Sequence, residues 1–157
     1  EDNIIDIGAG TCNVCALLKE KGFQIIPLDV QNLSFVKEIK PVIYDGRKIP
    51  FEDKSFNTSL ILTVLHHTSV PEDIIKEAKR VSQRIIIIED IYLNTFHKYL
   101  TYFVDNLLNF EFSGHPHTNK GDQEWKLLFK ELGLKLKEAR YRRSFLVFKQ
   151  AVYYLES

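Results

Sequence analysis

The chain has 157 residues, 45% apolar and 27% charged, enough for one ordinary core without disulfide or metal staples. Lysine plus arginine balances aspartate plus glutamate at 21 each, which excludes a global field drawing the chain to nucleic acid or membrane. Apolar runs such as Ile85–Ile88 are far too short to span a bilayer, Glu1-Asp2 lacks the basic start of a secretory signal, and two cysteines three positions apart make no disulfide framework. The expectation is a soluble cytoplasmic protein forming a single domain over residues 1–157.

Residues 3–7 read as a first strand, apolar on both faces like a buried central strand. It begins two residues into the chain, and a helical segment is expected to precede it. Residues 13–21 predict a helix with Val14, Leu17 and Leu18 on one face, stopped by Gly22. A second strand follows at 23–28, a short helix at 33–39 ended by Pro41, and a third strand at 42–44.

Residues 45–56 form a polar loop with Gly46 and Pro50, leading to a fourth strand at 58–65. A helix at 71–81 starts on Pro71, which suits a first turn, and a fifth strand covers 84–89. At 95–110 the residues Phe96, Tyr99, Phe103 and Leu107 recur at helical spacing. Beyond a loop with Gly114, Pro116 and Gly121, a helix at 123–132 precedes β-like runs at 135–141 and 145–154, close enough to pair as a hairpin. Strands alternating with helices argue for βαβ units and a parallel sheet, hence an α/β fold.

The strongest signal is Asp6-Ile7-Gly8-Ala9-Gly10-Thr11-Cys12, between the first strand and the first helix. A chain turning at once from strand to helix needs glycine, which tolerates positive φ and lets a ligand approach the backbone. The helix start presents unpaired N–H groups and a positive dipole end. Any tight strand-to-helix turn can hold two glycines, so the company of the motif matters. A dinucleotide reading requires G-x-G-x-x-G, and Asn13 occupies the third glycine position. Asp6 is an awkward neighbour for a pyrophosphate and a good one for a cofactor carrying its own positive charge.

Asp29 closes the second strand 21 residues after Gly8, near the spacing of about 20 at which an acidic residue meets ribose hydroxyls. Its structural alternative is an N-cap for the helix near Leu33. Asp45-Gly46 follows the third strand, where the plain alternative is an ordinary Asp-Gly turn. Next comes Ile49-Pro50-Phe51-Glu52-Asp53-Lys54-Ser55-Phe56-Asn57, and the fourth strand ends near Leu65-His66-His67.

Together these stretches resemble the class I S-adenosylmethionine-dependent methyltransferases, in particular the small-molecule enzymes of the methyltransferase type 11 kind. The D-x-G-x-G turn resembles their first motif. The segment 49–57 resembles their P-F-x-D-x-S-F-D stretch, with Asn57 for the last aspartate, and 65–67 resembles their L-H-H. Cys12 departs from the pattern, standing where the family often has a third glycine.

The resemblance implies a Rossmann-like three-layer sandwich. Its seven-stranded, mostly parallel sheet has the order 3-2-1-4-5-7-6, with strand seven antiparallel. It implies S-adenosylmethionine as cofactor, S-adenosylhomocysteine as product and a small-molecule acceptor. Asp6, Gly8 and Gly10 then serve the methionine end, Asp29 the ribose, and Asp45 with Gly46 the adenine. Thr63, near the end of strand four, completes the cofactor set.

Methyl transfer to a sulfonium's electrophilic carbon chiefly needs alignment, and a base helps where the nucleophile carries a proton. His67, and after it His66, are the base candidates, against a plain packing or capping role. His115-Pro116-His117 reads as exposed loop first, acceptor-loop lining second and part of a metal site last; no metal is expected. Cys12-Asn13-Val14-Cys15 admits a redox reading at a helix start, weakened by the preceding glycines. Lys135, Lys137, Arg140, Arg142 and Arg143 read as a solvated hairpin face, with nucleic acid a minor reading. Phe96, Tyr99, Tyr102, Phe103, Phe110 and Phe112 read as helix core with some acceptor lining, and Trp125 as core. Two other function classes stand beside the enzyme: a non-catalytic binding or assembly domain of the same fold, and a nicotinamide-dependent oxidoreductase.

Overall fold

Seven strands build one sheet in the order β3-β2-β1-β4-β5-β7-β6, the order the resemblance implies. A computed structural model describes residues 2–92, 120–144 and 148–157, without the side chains of residues 144 and 148. The helix expected at 95–110, its aromatic residues, Phe112 and the His115-Pro116-His117 loop lie outside the described residues. The strands are β1 (Asn3–Ile7), β2 (Gln24–Asp29), β3 (Val42–Ile43), β4 (Phe56–Leu62), β5 (Ser82–Ile91), β6 (Lys135–Ser144) and β7 (Phe148–Glu156). The helices are α1 (Asn13–Glu20), α2 (Pro71–Val81) and α3 (Asp122–Glu131).

Strands β1 to β5 pair in parallel, whereas β7 is antiparallel to both β5 and β6. Side chains on a strand alternate between faces, and this parity sorts the core. Ile5, Ile7, Ile61, Ile85 and Ile87 join the layer beneath α2 and α3, which contribute Ile75, Ala78, Trp125 and Phe129. Ile4, Ile25, Leu60 and Ile86 join the opposite layer with Cys12 and Cys15. Trp125 is fully buried, as expected from the helix pattern.

Three local expectations fail. Residues 33–39 form no helix; the short polar side chains at their start bond to the backbone two residues on and make local turns. Asn32 Oδ1 accepts the Ser34 N–H, and Ser34 Oγ accepts from Val36 N–H while donating to Val36 O. In α1, Val14 and Leu17 are exposed and Cys15 is the buried residue. Residues 12, 15 and 18 follow one another at a spacing of three, so positions 14 and 17 turn away from the sheet. Strand β4 also stops at Leu62, and residues 65–67 form a short 3₁₀ turn instead of its continuation.

α2 shows why a helix forms where it does. Pro71 opens it, Glu72 and Asp73 meet its positive end, and Lys79 and Arg80 meet its negative end. Pro71, Ile75, Ala78 and Val81 make its buried stripe. Arg80 clamps the 49–53 loop to this helix: its guanidinium donates to Ile49 O, Phe51 O and Asp53 Oδ1, and to both carboxylate oxygens of Glu77, at 2.7–2.9 Å. Glu77 Oε2 in turn accepts the Ile49 N–H at 2.8 Å.

Two outcomes follow from these features. Hydrogen bonds from Arg80 hold the Glu77 carboxyl below its ordinary value of 4.5, against partial desolvation. A group depressed in the folded state stabilises above its unfolded pKa and loses that contribution as pH falls through the folded value. Glu77→Gln should therefore destabilise by about 1–2 kcal/mol at pH 7, and the gap from wild type should shrink below pH 4.5. Urea titrations at pH 7 and at acid pH measure it; a gap independent of pH would contradict the clamp. Cys12 adopts φ 59°, a left-handed conformation disfavoured for any side chain. Cys12→Gly should thus exceed Cys12→Ala in stability by about 1 kcal/mol. Both variants delete the buried sulfur, and an alanine variant of equal or greater stability would contradict the strain.

Candidate functional site

An open cleft of about 1470 Å³ lies at the carboxyl ends of β1 to β4. That is where parallel α/β sheets bind ligands, at the point where strand order reverses. Gly8 and Gly10 line it from the first turn, Asp29 from the end of β2, Asp45 and Gly46 from beyond β3, and Thr63 and His67 from beyond β4. Of the sequence-predicted site residues, Asp6 and His66 are not on its wall.

The first turn is shaped by both of its glycines, for different reasons. Gly8 has φ 77°, and a Cβ there would sit 2.5 Å from Val64 Cγ2, so the protein's own packing excludes a side chain. Gly10 has φ 50°, and a Cβ there would meet nothing within 4 Å. The turn is open to a ligand at Gly10. Its fold is held from below, where the Gly8 and Ala9 N–H groups both donate to Leu28 O at 2.8 and 3.1 Å.

Asp29 ties β2 to this turn. Its Oδ2 accepts the Gly10 N–H at 2.8 Å, and its Oδ1 accepts from Val30 and Gln31 N–H at 2.7 and 3.3 Å. Asp29 lines the cleft, and its alternative role as cap of a following helix disappears because no helix forms there.

Asp6 is set back from the cleft. Parity on β1 places it with Ile4 on the α1 side, where its Oδ2 accepts the Cys15 thiol at 3.1 Å. Burial raises its pKa, as does the nearby Asp29 charge, against the lowering effect of the Cys15 hydrogen bond. Asp6, expected at the methionine end of the cofactor, thus stands behind the turn and off the cleft wall. The same pairing answers the redox reading of Cys12 and Cys15. Burial, with the Asp6 carboxylate, pushes the Cys15 thiol far up, away from the thiolate that redox chemistry needs. Both cysteines are free and buried. Among the described residues no cluster of His, Cys, Asp and Glu is arranged to hold a metal.

Beyond β3, Asp45 is exposed, with Oδ1 accepting the Arg47 and Lys48 N–H groups at 2.9 and 3.1 Å. Those two donors hold its carboxyl below the ordinary range. Gly46 has φ 76°, and a Cβ there would press on Val30 Cγ1 at 3.3 Å. Beyond β4, Thr63 takes φ 57°, an outlier for a β-branched residue, held by its N–H to Ile88 O at 2.7 Å. Strain of this kind collects at binding sites.

The histidines separate. His66 is buried, its Nδ1 2.7 Å from Glu89 Oε2, while Glu89 Oε1 accepts the Leu65 N–H at 2.7 Å. His67 is exposed on the cleft, with its ring centroid 4.0 Å from that of His66. Glu89, fully buried in β5, thus anchors the turn that presents His67. The sequence reading missed Glu89, although a carboxylate interrupting the apolar run Ile85–Ile91 was the available signal. The basic hairpin residues are exposed, with Arg140 paired to Glu138 and Lys137 to Glu156, consistent with a solvated face. No helix among the described residues is long and apolar enough to cross a membrane.

Comparison with known proteins bears on the same stretch. The chain is 34% identical over 80 residues to an uncharacterized protein of Methanocaldococcus jannaschii, a match covering 51% of the chain and 39% of that relative's length. The chain therefore spans about two fifths of this curated relative. Its fold is similar to that of a putative methyltransferase from Bacillus halodurans, with TM-score 0.77 and 12% identity over 99% of the chain and 92% of that structure. It is also similar to the [4+2]-cyclase SpnF, with TM-score 0.75 and 10% identity over 99% of the chain and 74% of that structure. At such identities the likeness is one of fold. The model of the family described as "Methyltransferase domain" matches residues 5–84, which is half of the chain and runs from β1 through the start of β5. With this match over half of its length, the chain belongs to the methyltransferase domain family, and its sheet has the strand order expected of the class I fold.

Proposed function

We propose that the chain binds S-adenosylmethionine in this cleft and transfers its methyl group to a small-molecule acceptor, leaving S-adenosylhomocysteine. The observation that carries the reading is the convergence of Gly10, Asp29 and Asp45 on one open cleft. The fit is steric and electrostatic together. At Gly10 the wall has room for a close approach, whereas at Gly8 the space is already filled by Val64. Asp29 and Asp45 are acceptors only, and a nucleoside offers them ribose hydroxyls and an exocyclic amine.

Each residue then has a bounded task. Gly8 and Gly10 shape the berth for the amino-acid end of the cofactor, with Asp6 supporting the turn from behind. Asp29 accepts from the ribose, and Asp45 with the Gly46 N–H receives the adenine edge. Thr63 holds the wall near the reacting end. The cofactor, when bound, supplies an electrophilic methyl group. In this reading His67 accepts a proton from the acceptor's nucleophile, and His66, bound to Glu89 and packed on the His67 ring, positions it. A neighbouring fold that serves a [4+2]-cyclase supports a second reading, in which the domain binds the cofactor or another ligand without methyl transfer.

Titration calorimetry with S-adenosylhomocysteine tests the reading. Saturable one-to-one binding is expected. Asp29→Ala should weaken it at least tenfold, the scale of a hydrogen bond to a charged group, and Asp45→Ala by a smaller factor because Asp45 is exposed. Absence of binding by both the donor and its demethylated product would overturn the assignment. An unchanged affinity in Asp29→Ala would remove Asp29 from the ribose role.

A further inference from the structure

Between Asp29 and Asp45 the cleft wall is formed by Tyr44, which directly follows β3. Its N–H donates to Asp29 O at 3.1 Å, fixing its backbone to the end of β2. Its ring is half-buried against the apolar layer beneath α2, and the residue lines the cleft. Among the described residues no hydrogen bond engages its hydroxyl. Burial and the surrounding carboxylates of Asp29, Asp45 and Glu77 push the phenol's pKa up, so at neutral pH it keeps its proton and remains a donor.

That donor matters because of its surroundings. Asp29 and Asp45 can only accept, and so can only read the hydroxyl and amine groups of a nucleoside. A nucleoside also presents acceptors, its ring nitrogens and ribose oxygens, which neither carboxylate can serve. Asp29 is already engaged by three N–H groups, so its carboxylate is not short of donors. We infer that the Tyr44 hydroxyl donates to an acceptor atom of the nucleoside held between Asp29 and Asp45, making Tyr44 a determinant of cofactor affinity. The inference rests on the proposed cofactor reading and adds to it a neutral donor outside the glycine turn and the two carboxylates.

The experiment is calorimetric titration of S-adenosylhomocysteine into wild type, Tyr44→Phe and, as a control remote from the cleft, Tyr141→Phe, with thermal melts of each. Tyr44→Phe keeps the ring and its packing and removes only the hydroxyl. It should weaken binding about five- to tenfold, the range of one hydrogen bond, with the melting temperature unchanged, while Tyr141→Phe binds as wild type does. Wild-type affinity in Tyr44→Phe overturns the inference and leaves the cofactor reading standing. An equal loss in Tyr141→Phe also overturns it, because the effect would not belong to the cleft. Failure of the wild-type protein to bind overturns the cofactor reading and this inference together.

Discussion

The hydrogen bond from the Gly10 N–H to Asp29 Oδ2 joins the two elements on which the site depends. Strand pairing already sets β1 beside β2, and this bond carries the tie past the strand ends to the tip of the turn. With it, the turn's open face and the carboxylate are held at one spacing, and the carboxylate is aimed by two further N–H donors from its own strand end. The energy of one such bond is modest, but its effect is geometric: it pre-orders two walls of a ligand site before a ligand arrives. The Gly8 and Ala9 bonds to Leu28 O brace the same junction from beneath.

The sheet supplies that junction through strict alternation. Odd positions of β1 face the layer under α2, and even positions face α1. Asp6 therefore lies under the helix, and its carboxyl pairs with Cys15 instead of projecting into the cleft. On the far wall a second buried carboxylate, Glu89, performs a comparable service by fixing the turn at 65–67 against β5. Two buried acids lie behind the cleft: Asp6 bonds to Cys15 of α1, and Glu89 holds the turn at 65–67. Both act through other residues, and neither lies on the cleft wall.

Much of this was legible in the residues before the fold was seen. The strand-glycine-helix punctuation, the acidic residue closing β2 and Asp45-Gly46 after β3 are local signals, and local signals survive folding. The sheet order came from the family resemblance, since spacing alone does not order strands. What could not be read was governed by side chains competing with backbone. The 33–39 stretch has helical apolar spacing, yet it forms no helix, and Asn32 and Ser34 bond to the backbone two residues on in local turns. Periodicity also misjudged α1, because Val14 and Leu17 are apolar but exposed while the smaller Cys15 is buried. Asp6 and Glu89 show the same limit. Their type suggested chemistry, or went unnoticed, but only three-dimensional parity told which way each carboxyl pointed. Cys12 was recognised as a departure from the glycine pattern, and the structure gives it the left-handed backbone that a glycine there would adopt without strain.

Amide-resolved NMR during titration with S-adenosylhomocysteine tests the central claim most directly. The largest shifts should fall on Gly10, Val30 and Gly46, on the three walls joined through Asp29, while amides of the β6–β7 hairpin stay in place. Shifts confined to the hairpin, or a Gly10 amide unmoved at saturation, would contradict it.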